Sequence, residues 1–209
     1  MAAAVTAVLR DGTQVPMATI AAEAGVGVAT LYRRYPTRES LLGALTERAF
    51  ELVLGCAREA EARDQPALTS LDRFLDNVIA RRGQLVLPLH GGPTKLSPRA
   101  LALRGQVHAA IGGVLQRGRC DGSIRAYATT ADVIIQAAML AQPLPNTGHW
   151  EPIARRQKSI FLDGLSTPAW PAHKSIAPAI APVNRPQRWA TTPTESRVRN
   201  PAPGSHGDS

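Results

Sequence analysis

The chain has little sulfur chemistry: two cysteines, Cys56 and Cys120, in 209 residues. Two thiols so far apart make neither a metal-ligand spacing nor a disulfide framework, so a reducing compartment is the simplest expectation. No apolar run approaches the ~20 residues that a membrane span needs. Met1 to Leu9 lacks the charged start of a secretory signal, and a cytoplasmic protein with no membrane partner is expected. Catalytic patterns are missing as well: there is no Ser-His-Asp spacing, no phosphate loop and no histidine pair at metal spacing. His90, His108 and His149 stand alone and read as surface or pocket polar groups. Neither enzymatic activity nor a metal or cofactor is therefore expected, and an enzyme built on Cys56 or a histidine is the weakest reading. No internal repeat and no sustained two-residue alternation appears, so the expected fold is all-α.

Charge is lopsided, with a formal net charge of +8. The excess is not concentrated at the N-terminus, where residues 1–48 carry five basic and four acidic side chains. Residues 49–165 carry fourteen and ten, and residues 166–209 five and two. Local placement of basic residues therefore says more about partners than the total does.

The most informative stretch is Ile20 to Tyr35, IAAEAGVGVATLYRRY. A helix from Met17 to about Ala24 turns Ile20 and Ala21 inward, and Ala21 is small enough for a second helix to cross close by. Gly25 suits a left-handed exit from the first helix, a conformation that costs a residue bearing a Cβ about 1–2 kcal/mol. Leu31 is then the apolar anchor that seats the second helix, about Val28 to Tyr35, on the first. Thr30, Tyr32, Arg33 and Arg34 are left on its outer side. Spacing alone is equally that of a helical hairpin inside an ordinary all-α protein. The next segment favours the helix-turn-helix, because the residue before Pro36 leaves the helical region and Thr37 can cap a new helix. That helix, with Glu39 in its first turn, carries Leu41, Leu42, Leu45, Ala49, Val53 and Cys56 as an apolar stripe to about Arg63.

The run VPMATIAAEAGVGVATLYRRYPTRESLLGAL resembles the DNA-binding head of TetR-type one-component repressors. The resemblance rests on Gly25-Val26 with Thr30-Leu31-Tyr32, on the step Arg34-Tyr35-Pro36, and on Thr37-Arg38-Glu39 followed by Leu41-Leu42. It implies an all-α homodimer whose larger C-terminal domain binds a small molecule. Carried over by position, the family's DNA contacts fall on Val28, Ala29, Thr30 and Tyr32, with Arg34 beside the phosphates and Arg38 on the backbone. Val28 and Ala29 offer only methyl contacts, so hydrogen-bond readout of a double-stranded operator falls on Thr30 and Arg33. One departure stands out: family members have a basic arm before the first helix, whereas no Lys or Arg precedes Arg10 here. Weaker DNA binding by this chain is expected. The alternative reading is a helical ligand-binding or scaffolding dimer whose shortened head no longer binds DNA.

The expected domains are a head over 1–48, a helical ligand-binding and dimerisation domain over 49–165, and a disordered tail over 166–209. In the second domain, helices are expected at about Ala67–Arg82, from a Ser97 cap and Pro98 to Arg117, over Thr130–Ala141 and over Pro152–Leu165. A short segment, Gln84–Leu89, leads into the loop His90-Gly91-Gly92-Pro93, and a longer loop holding Cys120 spans Gly118–Ala128. Phe74, Val78, Val107 and Ile111 are the candidate ligand-lining residues, though an ordinary core needs the same side chains. Family dimers pair through their last two helices, which nominates Val133, Ile134, Ala137, Ala138, Ile160, Phe161 and Gly164. The tail holds eight of the seventeen prolines, a composition that cannot offset the entropy of ordering.

Overall fold

The computed structural model describes residues 1–62, 64–86, 95–144 and 148–167. The His90–Pro93 loop and nearly all of the proline-rich segment lie outside the described residues. Within them the chain forms helices α1 (Ala2–Asp11), α2 (Met17–Glu23), α3 (Val28–Arg34), α4 (Arg38–Ala62), α5 (Ala67–Ala80), α6 (Pro98–Cys120), α7 (Thr130–Leu140) and α8 (Trp150–Leu165). The fold is all-α. Its described extended pairing is an isolated bridge between Ile124 and Ser166.

Side chains set several of these boundaries. Thr37 caps α4: the Ser40 N–H donates to Thr37 Oγ1 at 3.1 Å, and the Ser40 hydroxyl donates back to the Thr37 carbonyl at 2.6 Å. Ser97 caps α6, accepting from the Ala100 N–H at 3.0 Å, with Pro98 in the first turn where its missing N–H costs nothing. Thr129 and Asp132 form a reciprocal capping box on α7. One expected boundary is corrected: α6 runs past Arg117 to Cys120, so Cys120 ends a helix and Gly118 is helical and buried. A Cβ on Gly118 would fall 2.5 Å from Ile124 Cδ1 and 2.8 Å from Ala67 Cβ. The glycine therefore serves close packing of α6 on α5, and the chain turns only at Gly122, where φ is 75°.

Two apolar cores share α4. The N-terminal core gathers Val5, Val8, Met17, Ile20, Leu31, Leu41 and Leu45 from α1 to α4. The larger core gathers Val53, Leu71, Phe74, Val78, Ile111, Leu115, Val133 and Leu140 among others from α4 to α8. The segment after α5 joins them through adjacent residues: Leu85 is buried in the larger core and Val86 in the N-terminal one. In the second core, α4 packs chiefly on α6, helped by Ala57, Ala60 and Ala110.

A buried ammonium ties α8 to α5. Lys158 Nζ lies 2.6 Å from Asp72 Oδ1 and 2.8 Å from Asp76 Oδ2. Burial pulls the lysine pKa down, but the two aspartates outweigh it and hold the pKa above its ordinary value, so the ammonium stays charged at neutral pH.

Candidate nucleic-acid interface and ligand cavity

The turn between α2 and α3 is built as the sequence requires. Gly25 takes a φ of 65°, its N–H donates to Ala22 O at 3.1 Å, and the Val26 N–H donates to Ala21 O at 3.0 Å. These bonds use the carbonyls left open by the end of α2. Gly27 then opens α3, with its carbonyl accepting from Thr30 and Leu31. Leu31 is the buried residue of α3, and Ile20 and Ala21 beneath it belong to the same core. Ala21 is fully buried, which fits its expected role as the small residue at the crossing.

Seating Leu31 fixes what faces outward. Val28, Ala29, Thr30, Tyr32, Arg33 and Arg34 are all exposed, with the large side chains Val28 and Tyr32 at 41% and 46%. The Thr30 and Arg33 side chains have no hydrogen-bond or ion-pair partner among the described residues. Arg34 is steadied from behind: its guanidinium carbon lies 5.8 Å from the Tyr35 ring centroid and its Nε donates to the Tyr35 hydroxyl at 3.3 Å. The Tyr35 hydroxyl in turn donates to Met1 Sδ at 3.1 Å.

Two arginines act within the head. Arg38, expected on a DNA backbone, is part-buried, and its Nη1 donates to the Thr13 and Val15 carbonyls at 3.1 and 2.6 Å. This nitrogen fastens the α1–α2 loop to the start of α4 because that loop has no regular backbone partners for those carbonyls. Arg10, which the sequence reading did not use, bridges α1 to α2: it donates to Asp11 and reaches Glu23 Oε1 at 2.5 Å. Hydrogen bonding from Arg10 holds the Asp11 carboxyl below its usual range. The signal for this pair was an arginine in the last turn of α1 and a glutamate in the last turn of α2, legible only once the helices are known to cross.

Beside the larger core, between α4, α5, α6 and α7, lies an apolar cavity of about 410 Å³ that opens to solvent where Arg104, Ile135 and Met139 are exposed, within the range of small-molecule sites. Phe74, Val78 and Val107, nominated from the sequence as ligand-lining residues, form part of its wall. Ile111 does not: it is fully buried deeper in the core and absent from the wall. The wall also uses residues the sequence reading did not nominate, Phe50 and Val53 on α4, Arg104 and His108 on α6, and Ile135 and Met139 on α7. His108 is held below its ordinary pKa, first by burial and then by the Arg104 charge.

The nominated dimer residues divide. Val133 and Ala137 are buried in the chain's own core and cannot meet a partner, a correction to the expected surface. Ile134, Ala138 and Phe161 are partly buried against that core, whereas Ile160 and Gly164 are exposed. Ile153 and Gln157 share their face of α8 at helical spacing, and both are exposed. Ile153 and Gln157 also line a shallow groove that continues to Leu144.

A short helix crossed and anchored by a second, with its outer face bare and an arginine braced at its end, defines the helix-turn-helix class of DNA-binding proteins. Residues 1–45 match the family model of bacterial regulatory proteins, tetR family. The HTH-type transcriptional repressor LfrR of Mycolicibacterium smegmatis is 33% identical over 95 residues, 46% of this chain and 50% of that protein. The matched region thus spans about half the length of that curated relative. Among solved structures, the TetR transcriptional regulator SCO0520 from Streptomyces coelicolor is 27% identical with a TM-score of 0.53, covering 80% of this chain and 97% of that one. The TetR family regulator PfmR from Thermus thermophilus reaches a TM-score of 0.62 over 78% and 96% of the two chains, at 19% identity. Residues 1–45 are thus similar to the head of tetR-family regulators, and the described helices share the all-α fold of TetR-type regulators of known structure.

Proposed function

We propose that this regulator is a homodimeric repressor that sits on a palindromic double-stranded operator and is released by a small molecule. The observation that carries the reading is the outward face of α3. Thr30 and Arg33 offer hydrogen-bonding groups with no partner among the described residues, while Val28 and Ala29 offer methyl surface suited to a thymine methyl. Arg34 at the end of the helix, braced by Tyr35, is placed for a phosphate. Two such heads would occupy major grooves about one helical turn, ~34–36 Å, apart.

Release requires that the ligand bind one head arrangement better than another. Two elements supply a physical route. The cavity wall includes Phe50 and Val53, and α4 carries Leu41, Leu42 and Leu45 onward into the N-terminal core. The wall also includes Phe74 and Val78, and the chain beyond α5 inserts Val86 against α1. A ligand that shifts either helix displaces a buried residue of the head, and close packing converts a small shift into a discrete rearrangement. The cytoplasm is the compartment where such an operator is met.

Binding titrations on operator DNA test the head. Arg34→Ala is expected to weaken binding to all sequences alike and to reduce the salt slope by about one unit. Thr30→Ala is expected to change preference among operators, by about 1–3 kcal/mol at the affected position. Titrations unchanged in both variants would contradict the reading.

Dimerisation is proposed through α7 and α8, with Ile153, Gln157, Ile160 and Gly164 as the α8 contribution. Ile160 is 55% exposed in the single chain, so Ile160→Asp should leave the monomer's fold intact. A two-fold interface contains the substitution twice, and each copy loses about 1.5–3 kcal/mol of isoleucine burial. Sedimentation is expected to show a dimer for the parent chain and a monomer for the variant at the same micromolar concentration. A variant that remains dimeric would move the interface elsewhere.

A further inference from the structure

The cavity between α4, α5, α6 and α7 is chemically one-sided. The surface it offers a ligand is entirely carbon, and no carboxylate belongs to its wall. Two nitrogen-bearing side chains do, and both lie on α6, one turn apart: Arg104 and His108. Arg104 lends the cavity only its carbon stem and is exposed at the rim, where its guanidinium has no hydrogen-bond or ion-pair partner among the described residues. Arg99, by comparison, is paired with Glu47 and Glu51, Arg82 with Glu151, and Arg58 is bonded to Gln106, whereas Arg104 stands beside an apolar cavity. His108 is half-buried and likewise presents carbon to the cavity, its pKa held below the ordinary value by burial and by the Arg104 charge.

We infer that the effector is a hydrophobic carboxylate, an apolar body filling the carbon-lined cavity with its carboxylate held at the rim by Arg104. This rests on the ligand-responsive reading above and narrows it to a chemical class. The apolar body gains from burial in proportion to its area. The carboxylate keeps part of its hydration at the mouth and accepts charge-assisted hydrogen bonds from a guanidinium whose fork matches its geometry. A cationic amphiphile of the same size would meet the lone Arg104 charge with no carboxylate to offset it, and would lose hydration on entering carbon surroundings. An uncharged analogue fills the cavity but leaves Arg104 unused, so it should bind between the two.

Calorimetric titration of the full chain with octanoate, 1-octanol and octylammonium tests this. Octanoate is expected to bind about tenfold or more tighter than 1-octanol, the scale of one hydrogen bond to a charged group, and octylammonium weaker than both. Arg104→Leu should reduce octanoate to the affinity of 1-octanol and leave 1-octanol unchanged, and Arg104→Lys should retain part of the preference. Because Arg104 is exposed, both variants should melt with the parent chain, which circular dichroism checks. Octylammonium binding as tightly as octanoate, or octanoate binding unaltered by Arg104→Leu, would overturn the inference while leaving the cavity as a ligand site. Failure of all three probes to bind, or of 1-octanol to displace octanoate, would overturn the cavity reading itself.

Discussion

Replacing Phe74 with alanine is expected to lower the unfolding free energy by about 3–5 kcal/mol, the range for a fully buried phenylalanine. The ring has no exposed surface, and it stands between two spaces. On one side is the apolar cavity; on the other is a smaller polar cleft of about 250 Å³ lined by Cys56, Ser70, Asp76 and Asn77. Truncation joins them and removes packing from α5 at the point where it approaches α4. The surrounding helices cannot collapse into the gap, because the cleft side is already held apart by polar groups and the Lys158 tie fixes α5 to α8. Urea denaturation measures the loss. Saturating 1-octanol should restore part of it, since a ligand bound only to the folded state stabilises it by mass action. A loss under about 1 kcal/mol would mean that the cavity wall is far more adaptable than interior packing allows.

Leu31→Asp is expected to abolish operator binding at concentrations where the parent chain saturates. Leu31 is 8% exposed and is the buried anchor of α3. A carboxylate there would sit among Ile20, Ala21 and other apolar members of a small core. Burying it uncompensated costs several kcal/mol, more than a seven-residue helix with a single buried contact can supply. The helix therefore leaves its seat and the outward face of α3 is lost as a unit. Amide exchange should show lost protection over residues 17–35 with protection retained in α5 to α8. Retained DNA binding by a variant with an unprotected α3 would contradict the head assignment.

These two sites also show what the sequence made legible. Gly25 and Leu31 were readable because each demand is local: a positive φ after α2, and a leucine flanked by Thr30, Tyr32, Arg33 and Arg34. The outward set on α3 followed from that seat. The face of α7 was not readable, since Val133, Ile134, Ile135, Ala137 and Ala138 make it apolar nearly all round and periodicity cannot choose among equivalent sides. The structure turns Val133, Ala137 and Leu140 inward and leaves Ile135 and Met139 outside.

Ile111 failed for a related reason. The i+4 series Leu103, Val107, Ile111, Leu115 rotates by about 40° at each step on a helix of 3.6 residues per turn. Val107 therefore meets the cavity while Ile111 has turned into the deeper core. Arg38 and Val86 depend on long-range partners. Nothing near Arg38 in sequence announces that the Thr13 and Val15 carbonyls need a donor. Nothing near Val86 announces that it crosses to a different core from its neighbour Leu85. Local pattern cannot carry either fact.

On this reading the chain reads operator DNA through α3. Footprinting of the parent chain on the DNA flanking its own gene tests it most directly, with Thr30→Ala run beside it. The account predicts protection of two inverted half-sites in major grooves about one helical turn apart, with the variant altering protection at defined base pairs within each half-site. Protection no stronger than on unrelated DNA at physiological salt, or a footprint indifferent to Thr30, would contradict it.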